Sequence, residues 1–402
     1  MVEIMIRKIF LACAVGAMAL TACVSDGGET IPLEYDVTQG DVAPIDGIPG
    51  DENAHPAPSV SKATVELPDV AWELKDGPKG VKIAEITMPG VQYPDGENWL
   101  QYVAGTGGAG GNNQSLWVTV DGDAKGCQVL NGKYGEVTKE LMVDFVFVVN
   151  NSNNMKEAGD LIAATLDEWN ATLEADKLSM AYYCVGYGGG DDVKGVDGAC
   201  DRSTAEELKA YLNRDGAMGT ARTKGFAGNT VLEALAKSKY QNCDGECGVE
   251  ALKFANEAFN YRATASRVFL NVTDEPNQPG GNAEWSVESL RSQDEWAAGS
   301  GTIHTLFSGN KAFENQPNEF EHPWLVSSYT GGFTTYTDSK LTGVTLKQLP
   351  LTESVQRMVV IRIAKVEKYM DGKPHNVKIT MKSNDEKIQA EKTYKINFGT
   401  AE

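Results

Sequence analysis

Three polar loops in the middle of the chain carry side chains that could hold a ligand. The first, Asn150–Met155, follows the apolar run Val143–Val149, and the second, Gly228–Thr230, precedes a predicted helix. The third, Thr273–Pro276, follows another apolar run. Open α/β sheets bind ligands in the crevice beyond the carboxyl ends of their strands. The amide, hydroxyl and carboxylate groups of these loops are therefore expected to border one such crevice.

The segment 141–354, which contains these loops, alternates between strand-like and helix-like patterns. Val143–Val149 is continuously apolar, as a parallel strand buried on both faces requires. From Met155 to Leu173 the apolar residues recur at spacings of three and four, which indicates a helix. Further strands are predicted at 178–187, 267–273 and 302–307, and further helices at 205–212, 230–237, 249–261 and 284–296. This alternation predicts a doubly wound, mostly parallel α/β sheet.

The two flanking segments, 63–140 and 355–402, share a different pattern. Their apolar residues alternate with polar ones, as in Leu116–Val120 and Val377–Met381, and turn residues separate the runs. Neither flank has enough strands to be stable alone. We therefore expect the flanks to pair into one antiparallel β-sandwich domain, with the α/β domain of 141–354 inserted between them.

The three polar loops, together with the order of strands and helices, resemble the von Willebrand factor A (vWA) domain, particularly that of bacterial lipoproteins. The metal-ion-dependent adhesion site of that family uses a D-x-S-x-S loop after the first strand, a threonine on a later loop and an aspartate after the fourth strand. The resemblance covers about 215 residues. It implies the Rossmann-like vWA fold and a role in binding protein or surface ligands.

Carried over residue by residue, the resemblance implies a degenerate metal site. Ser152, Thr230 and Asp274 match the family pattern, whereas Asn150 replaces its first aspartate and Asn154 its second serine. Asparagine keeps an acceptor oxygen but loses the negative charge, so we expect Mg²⁺ or another divalent cation to bind weakly. The alternative is that these loops only cap helices and strands through hydrogen bonds.

A second group of candidate ligands lies between residues 184 and 247. The stretch Asp191–Asp201 contains four aspartates and could form a calcium loop, although a solvated acidic loop is the simpler interpretation. Cys184 and Cys200 flank this stretch and could form a disulfide, as could Cys243 and Cys247. A zinc site at the second pair would need further Cys or His ligands nearby. Cys127 is left as a free thiol in this scheme.

The N-terminal residues resemble a bacterial lipoprotein signal. Arg7 and Lys8 precede an apolar run from Ile9 to Leu20, and the sequence Leu-Thr-Ala-Cys ends at Cys23. This pattern predicts cleavage after residue 22, lipidation (palmitate) of Cys23 and an outer-membrane location. Residues 23–62 are acidic and proline-rich and are expected to form a flexible tether.

Composition and motifs narrow the functional classes. The net charge of −20 argues against a nucleic-acid partner, because phosphate binding needs a basic face. The segment Gly105–Gly110 matches G-x-G-x-x-G but opens no predicted helix, so a dinucleotide site is not expected. The sequence shows no known catalytic pattern of a nucleophile, a base and an orienting residue. We therefore expect a binding protein and not an enzyme such as an envelope hydrolase.

The sequence therefore predicts a lipid-anchored envelope protein that binds another protein or a surface ligand through its vWA-like domain, in adhesion or scaffolding. The alternative is a carbohydrate- or matrix-binding module that acts through the β-sandwich. That alternative needs exposed aromatic side chains, for which Trp72, Trp99 and Trp117 are the candidates.

Overall fold

The computed structural model describes residues 45–102, 115–133, 136–152, 155–188, 195–212, 225–243, 246–309 and 321–400. The predicted signal, Cys23 and residues 23–44 of the predicted tether lie outside these ranges, as do Gly105–Gly110 and Asp191. In the described part of the tether Ile48 is buried and Asp51 pairs with Lys125, so these residues pack on the folded part. The strands within the described ranges are β1 (Ala71–Asp76), β2 (Lys82–Met88), β3 (Leu116–Val120), β4 (Asp123–Lys125), β5 (Cys127–Asn131), β6 (Leu141–Asn150), β7 (Leu178–Tyr187), β8 (Val196–Ser203), β9 (Ser266–Thr273), β10 (Thr302–Ser308), β11 (Thr334–Thr337), β12 (Val359–Ala364), β13 (His375–Lys382) and β14 (Gln389–Ile396). The α-helices are α1 (Lys156–Ala175), α2 (Ala205–Leu212), α3 (Thr230–Lys239), α4 (Gly248–Ala258), α5 (Pro323–Thr330) and α6 (Pro350–Gln356).

A six-stranded sheet in the order β11-β10-β9-β6-β7-β8 forms the centre of the α/β part. All neighbouring strands run parallel except β8, which runs antiparallel to β7 at one edge. Strand β6 is buried along nearly its whole length. Its side chains alternate between two apolar clusters: Phe145 and Phe147 pack in the cluster that contains α1, while Val146 and Val148 pack in the one that contains α4. The mostly parallel α/β sheet with both faces covered is therefore confirmed.

Two four-stranded antiparallel sheets are built from the two flanking segments together. One has the order β1-β2-β12-β5 and the other β14-β13-β3-β4. In the first sheet β12 lies between β2 and β5, and in the second β13 pairs with β3. One apolar cluster contains side chains of both sheets, such as Ile86 and Ile361 from the first and Val118 and Ile379 from the second. Each sheet thus needs strands from both ends of the chain, while the exact domain limits stay a prediction.

The predicted helix at 284–296 is wrong. The structure has two short 3₁₀ turns, Ala283–Trp285 and Val287–Arg291, separated by extended backbone at Ser286. The backbone N–H of Val287 donates to the carboxylate of Glu321 at 2.7 Å, and the carbonyl of Trp285 accepts from Asn277 Nδ2 at 2.9 Å. Because these side chains occupy backbone groups that a helix would use internally, the segment follows the contour of the core instead.

Candidate functional site

The candidate site lies where the strand order of the central sheet reverses. β6 and β9 are neighbours there, with β7 and β8 on one side and β10 and β11 on the other. Asn150 is the last residue of β6, Thr273 is the last residue of β9, and Asp274 follows directly. In open α/β sheets ligands bind at such a switch point, outside the carboxyl ends of the strands. The sheet thus brings the first and third polar loops of the sequence together.

The side chain of Asn150 is the centre of this cluster. Its Nδ2 donates to Thr273 Oγ1 at 3.2 Å, to Asp274 Oδ1 at 3.4 Å and to the carboxylate of Glu246. Its Oδ1 accepts from the backbone N–H of Ser152 at 2.8 Å. Asn150 is fully buried, so these partners fix the orientation of its amide. The amide N–H group therefore faces the carboxylates, in the place where a cation would have to contact them.

Glu246 is a site residue that the sequence did not reveal. It precedes α4 and reaches the cluster from a loop that lies nearly one hundred positions after Asn150. Nothing in the family pattern marks this position, and an acid just before a helix is a common surface feature. The only available signal was its place between Cys243 and Cys247 in a loop at the same edge of the predicted sheet.

The cluster carries surplus negative charge. Burial raises the pKa of Glu246 to about 7, and repulsion from Asp274 and Glu275 acts in the same direction, against hydrogen bonds from Asn150 and Ser152. Burial, followed by the charge of Asp274, also raises the pKa of Glu275. Neither Glu246 nor Glu275 forms an ion pair with a lysine or arginine in the described part of the chain. A positively charged group bound here would relieve this repulsion.

The oxygen atoms at this edge fit a small hard cation, but Asn150 competes with it. A cavity of about 10 Å³, which is room for roughly one water molecule, is bordered by Tyr187, Glu246, Asn271, Thr273 and Glu275. Carboxylate and hydroxyl oxygens are ligands that Mg²⁺ and Ca²⁺ accept. An amide nitrogen is not. Asn150 and Asp274 do not border the cavity, so it is an ion shared by Glu246 and Asp274 that would have to displace the Asn150 Nδ2 hydrogen bonds. The donor set therefore fits a weakly held cation.

The remaining predicted ligands are not all joined to this cluster. The Ser152 backbone contacts Asn150, as described, and Asn154 lies outside the described residues. Thr230 is exposed at the start of α3, where Asn229 Oδ1 caps the helix by accepting from the N–H groups of Val231 and Leu232 at 3.2 and 3.1 Å. Within the described ranges, Thr230 forms no hydrogen bond with the cluster, and its role as a ligand stays a prediction.

All five cysteines of the described ranges are free thiols in the structure. Cys184 and Cys200 lie directly opposite each other on β7 and β8, as a cross-strand pair. Cys243 and Cys247 also lie close together, with their Sγ atoms within 4.8 Å of each other. Cys127 is buried in the antiparallel part. The two predicted disulfides therefore join thiols that are near each other, and their formation stays a prediction.

The three tryptophans that the carbohydrate-binding alternative requires differ in exposure. Trp99 is buried against Phe333, with ring centroids 5.5 Å apart. Trp72 and Trp117 are each partly buried. Trp72 and Trp117 thus keep part of their surface accessible, and the carbohydrate-binding alternative stays a prediction.

Comparison with known proteins gives no family assignment. No protein-family model matches the chain, and no curated protein matches it. Among solved structures, the chain is similar to an aerotolerance-related membrane protein from Bacteroides fragilis, at 14% identity over 49% of this chain and 93% of that chain, with a TM-score of 0.28. It is also similar to the human COPII-coat protein Sec24c, at 10% identity over 70% of this chain and 47% of that chain, with a TM-score of 0.27. TM-scores this low do not establish a shared fold, so the class of the domain rests on its own strand order.

The fold and the site define an α/β protein with an acidic, partly buried cluster at the switch point of its sheet. None of its described helices has the length and apolar character needed to cross a membrane.

The raised pKa of Glu246 predicts a pH dependence of stability. Its pKa is 4.5 in an unfolded chain and about 7 in the folded protein, so the folded state binds the proton more tightly. The contribution of Glu246 to the free energy of unfolding is therefore fully present below pH 4.5. It is lost as the pH rises to 7, and the loss is on the order of 2 kcal/mol. In Glu246→Gln we expect this loss to disappear, as measured by urea unfolding between pH 4.5 and 8 with a chelator present. The exposed Glu288→Gln serves as the control, and equal slopes for wild type and Glu246→Gln would contradict the prediction.

Proposed function

We propose that this chain is a ligand-binding protein of the vWA type, in which the α/β domain is inserted into an antiparallel β-sandwich. A protein or surface ligand binds at the carboxyl edge of the central sheet. The observation that carries the proposal is the convergence of Asn150, Glu246 and Asp274 at the switch point. The role is one of binding, in adhesion or in scaffolding of the cell envelope, and not of catalysis.

The charge of the edge specifies the kind of contact. The carboxylates of Glu246, Asp274 and Glu275 favour a positive group, which is either a basic side chain of the partner or a weakly bound divalent cation. The amide of Asn150 already satisfies part of this need through its hydrogen bonds. Recognition of a basic side chain is therefore favoured over recognition through a resident metal ion.

Cation binding at this edge is tested by calorimetric titration of the full chain with Mg²⁺, Mn²⁺ and Ca²⁺. We expect dissociation constants on the order of 0.1–1 mM, because the amide of Asn150 has to be displaced. Asp274→Asn should weaken binding several-fold, since it removes one ligand charge. The matched control, Asp294→Asn, changes an exposed aspartate. Tight binding that Asp274→Asn leaves unchanged would place the ion elsewhere and count against this edge as the site.

The proposal includes a lipid anchor at Cys23, which rests on the sequence Leu-Thr-Ala-Cys after a short apolar run. Cys23→Ala should abolish metabolic labelling with a palmitate analogue and release the protein from the membrane fraction, since several acyl chains give the stable attachment. Cys13→Ala, in the apolar run itself, is the control. A wild-type protein without lipid label would exclude the anchor while leaving the ligand-binding proposal intact.

A further inference from the structure

A second group of potential metal ligands lies behind Glu246, at the start of α4. The Sγ atoms of Cys243 and Cys247 and a carboxylate oxygen of Glu250 all lie within 4.8 Å of one another. The three residues are 1%, 0% and 0% exposed. Cys247 occupies the N-cap position of α4 and Glu250 lies in its first turn, so the helix N-terminus favours negative charge at this point.

The carboxylate of Glu250 is incompletely satisfied. Its Oε1 accepts from the backbone N–H of Asn242 at 2.9 Å. Its Oε2 is buried and has no hydrogen-bond partner among the residues that the structure describes. Buried polar atoms are nearly always hydrogen-bonded or bound to an ion, because desolvation is otherwise uncompensated. This oxygen therefore indicates a missing donor or cation, and a carboxylate oxygen of Glu250 lies within 4.8 Å of both sulfur atoms.

We propose that Cys243, Cys247 and Glu250 bind a zinc ion. Zinc is held in proteins by thiolate sulfur at about 2.3 Å and carboxylate oxygen at about 2.0–2.2 Å, in tetrahedral geometry. Ligand atoms around such an ion are about 3.5–3.8 Å apart, so the observed cluster needs only a small contraction. A water molecule supplies the fourth ligand. Thiolates select zinc over Mg²⁺ and Ca²⁺, which separates this site from the one at the switch point.

A disulfide explains less of the geometry than an ion does. It would join the two sulfur atoms but leave Glu250 Oε2 without a partner.

The site would fix the loop that presents Glu246. Glu246 lies between the two cysteines in sequence and reaches Asn150 on the other side of the loop. An ion bound to both cysteines and to α4 closes this loop at its two ends and limits the positions that Glu246 can take. The inference thus goes beyond the proposed function, because it assigns a metal ion next to the ligand-binding edge.

The test uses the full chain, purified without chelator, and Co²⁺ as a spectroscopic substitute for zinc. We expect one zinc per chain by elemental analysis and, after exchange, the thiolate-to-cobalt charge-transfer absorption. Cys247→Ser should abolish this absorption. Glu250→Gln is nearly isosteric and should lower the affinity for zinc by more than roughly 10–100-fold, which is the loss expected when a residue that only contacts a ligand is changed. Cys200→Ser and Glu246→Gln are controls that should keep the cobalt absorption. A failure of the switch-point proposal can therefore be distinguished from a failure of the zinc proposal.

Three outcomes would overturn the zinc site. The first is a Cys243–Cys247 disulfide, found by mass spectrometry in the isolated protein. The second is the presence of both free thiols with no zinc and no cobalt absorption in a folded wild-type chain, as judged by circular dichroism. The third is unchanged zinc affinity in Glu250→Gln, which would remove the carboxylate from the ligand set.

Discussion

Asn150→Asp should convert the switch-point cluster from one held together by an amide into one that depends on a cation. The substitution removes the Nδ2 donor from Thr273, Asp274 and Glu246 and places a further carboxylate among them. In the presence of a chelator we expect the free energy of unfolding to fall by about 2–3 kcal/mol, because a buried donor is replaced by a like charge. Mg²⁺ or Ca²⁺ should restore the lost free energy of unfolding. The variant should bind the cation with an affinity at least about tenfold above that of wild type.

The measurement is urea unfolding with and without divalent cation, together with calorimetric titration. The matched control is Asn282→Asp, because aspartate caps a helix as well as asparagine does and Asn282 is the exposed N-cap of the turn Ala283–Trp285, outside the three polar loops. An Asn150→Asp variant with wild-type stability in chelator and wild-type affinity for Mg²⁺ would show that Asn150 does not organise the cluster. The combined Asn150→Asp and Asn154→Ser change restores the family pattern and should raise the affinity further.

Arg262→Met should cause the largest loss of stability of the substitutions considered, about 3–5 kcal/mol. Arg262 Nε donates to Asp144 Oδ1 at 2.6 Å, and Nη2 donates to the carbonyls of Val143 and Ser179 at 2.7 and 2.9 Å. Asp144 is fully buried. Removal of the guanidinium therefore leaves a buried carboxylate without its counter-charge and takes one hydrogen bond from each of two carbonyls.

Asp144 lies near the start of β6, whereas Asn150 lies at its end. We therefore expect Arg262→Met to lower the midpoint of urea unfolding but to leave cation affinity at the switch point unchanged. The double variant Asp144→Asn, Arg262→Met should recover part of the loss. Arg291→Met, which breaks an exposed pair with Glu288, is the control and should cost less than about 1 kcal/mol. Equal costs at the two arginines would contradict the buried-pair argument.

The parts of the site that the sequence predicted are those that depend on the central strands. The apolar runs of β6 and β9 are long and unambiguous, and parallel strands bring their carboxyl ends to one edge. For this reason the proximity of Asn150 and Asp274 could be expected before the structure was known. The antiparallel direction of β8 could not be predicted, because hydrophobic periodicity and composition indicate a strand but not its direction.

Glu246 shows why the rest of the site could not be predicted. Its position depends on how the loop before α4 folds against β6, which is a matter of tertiary packing and not of local pattern. The segment 284–296 failed for a related reason: its helical periodicity is real, but Asn277 and Glu321 bind its backbone groups from other parts of the chain. The contacts from Glu246 to Asn150 and from Glu321 to Val287 join residues 96 and 34 positions apart, while Asn277 lies only 8 positions from Trp285.

The interleaving of the flanking strands has a consequence for the order of folding. Strand β5 pairs with β12, with Asn131 opposite Val359, so the chain enters and leaves the α/β domain at neighbouring points. About 230 residues separate these two partners, and closing so long a loop before the intervening chain is compact costs entropy. Folding of the segment 141–354 first would bring the two ends together and remove most of that cost. We therefore expect the antiparallel sheets to form late in folding.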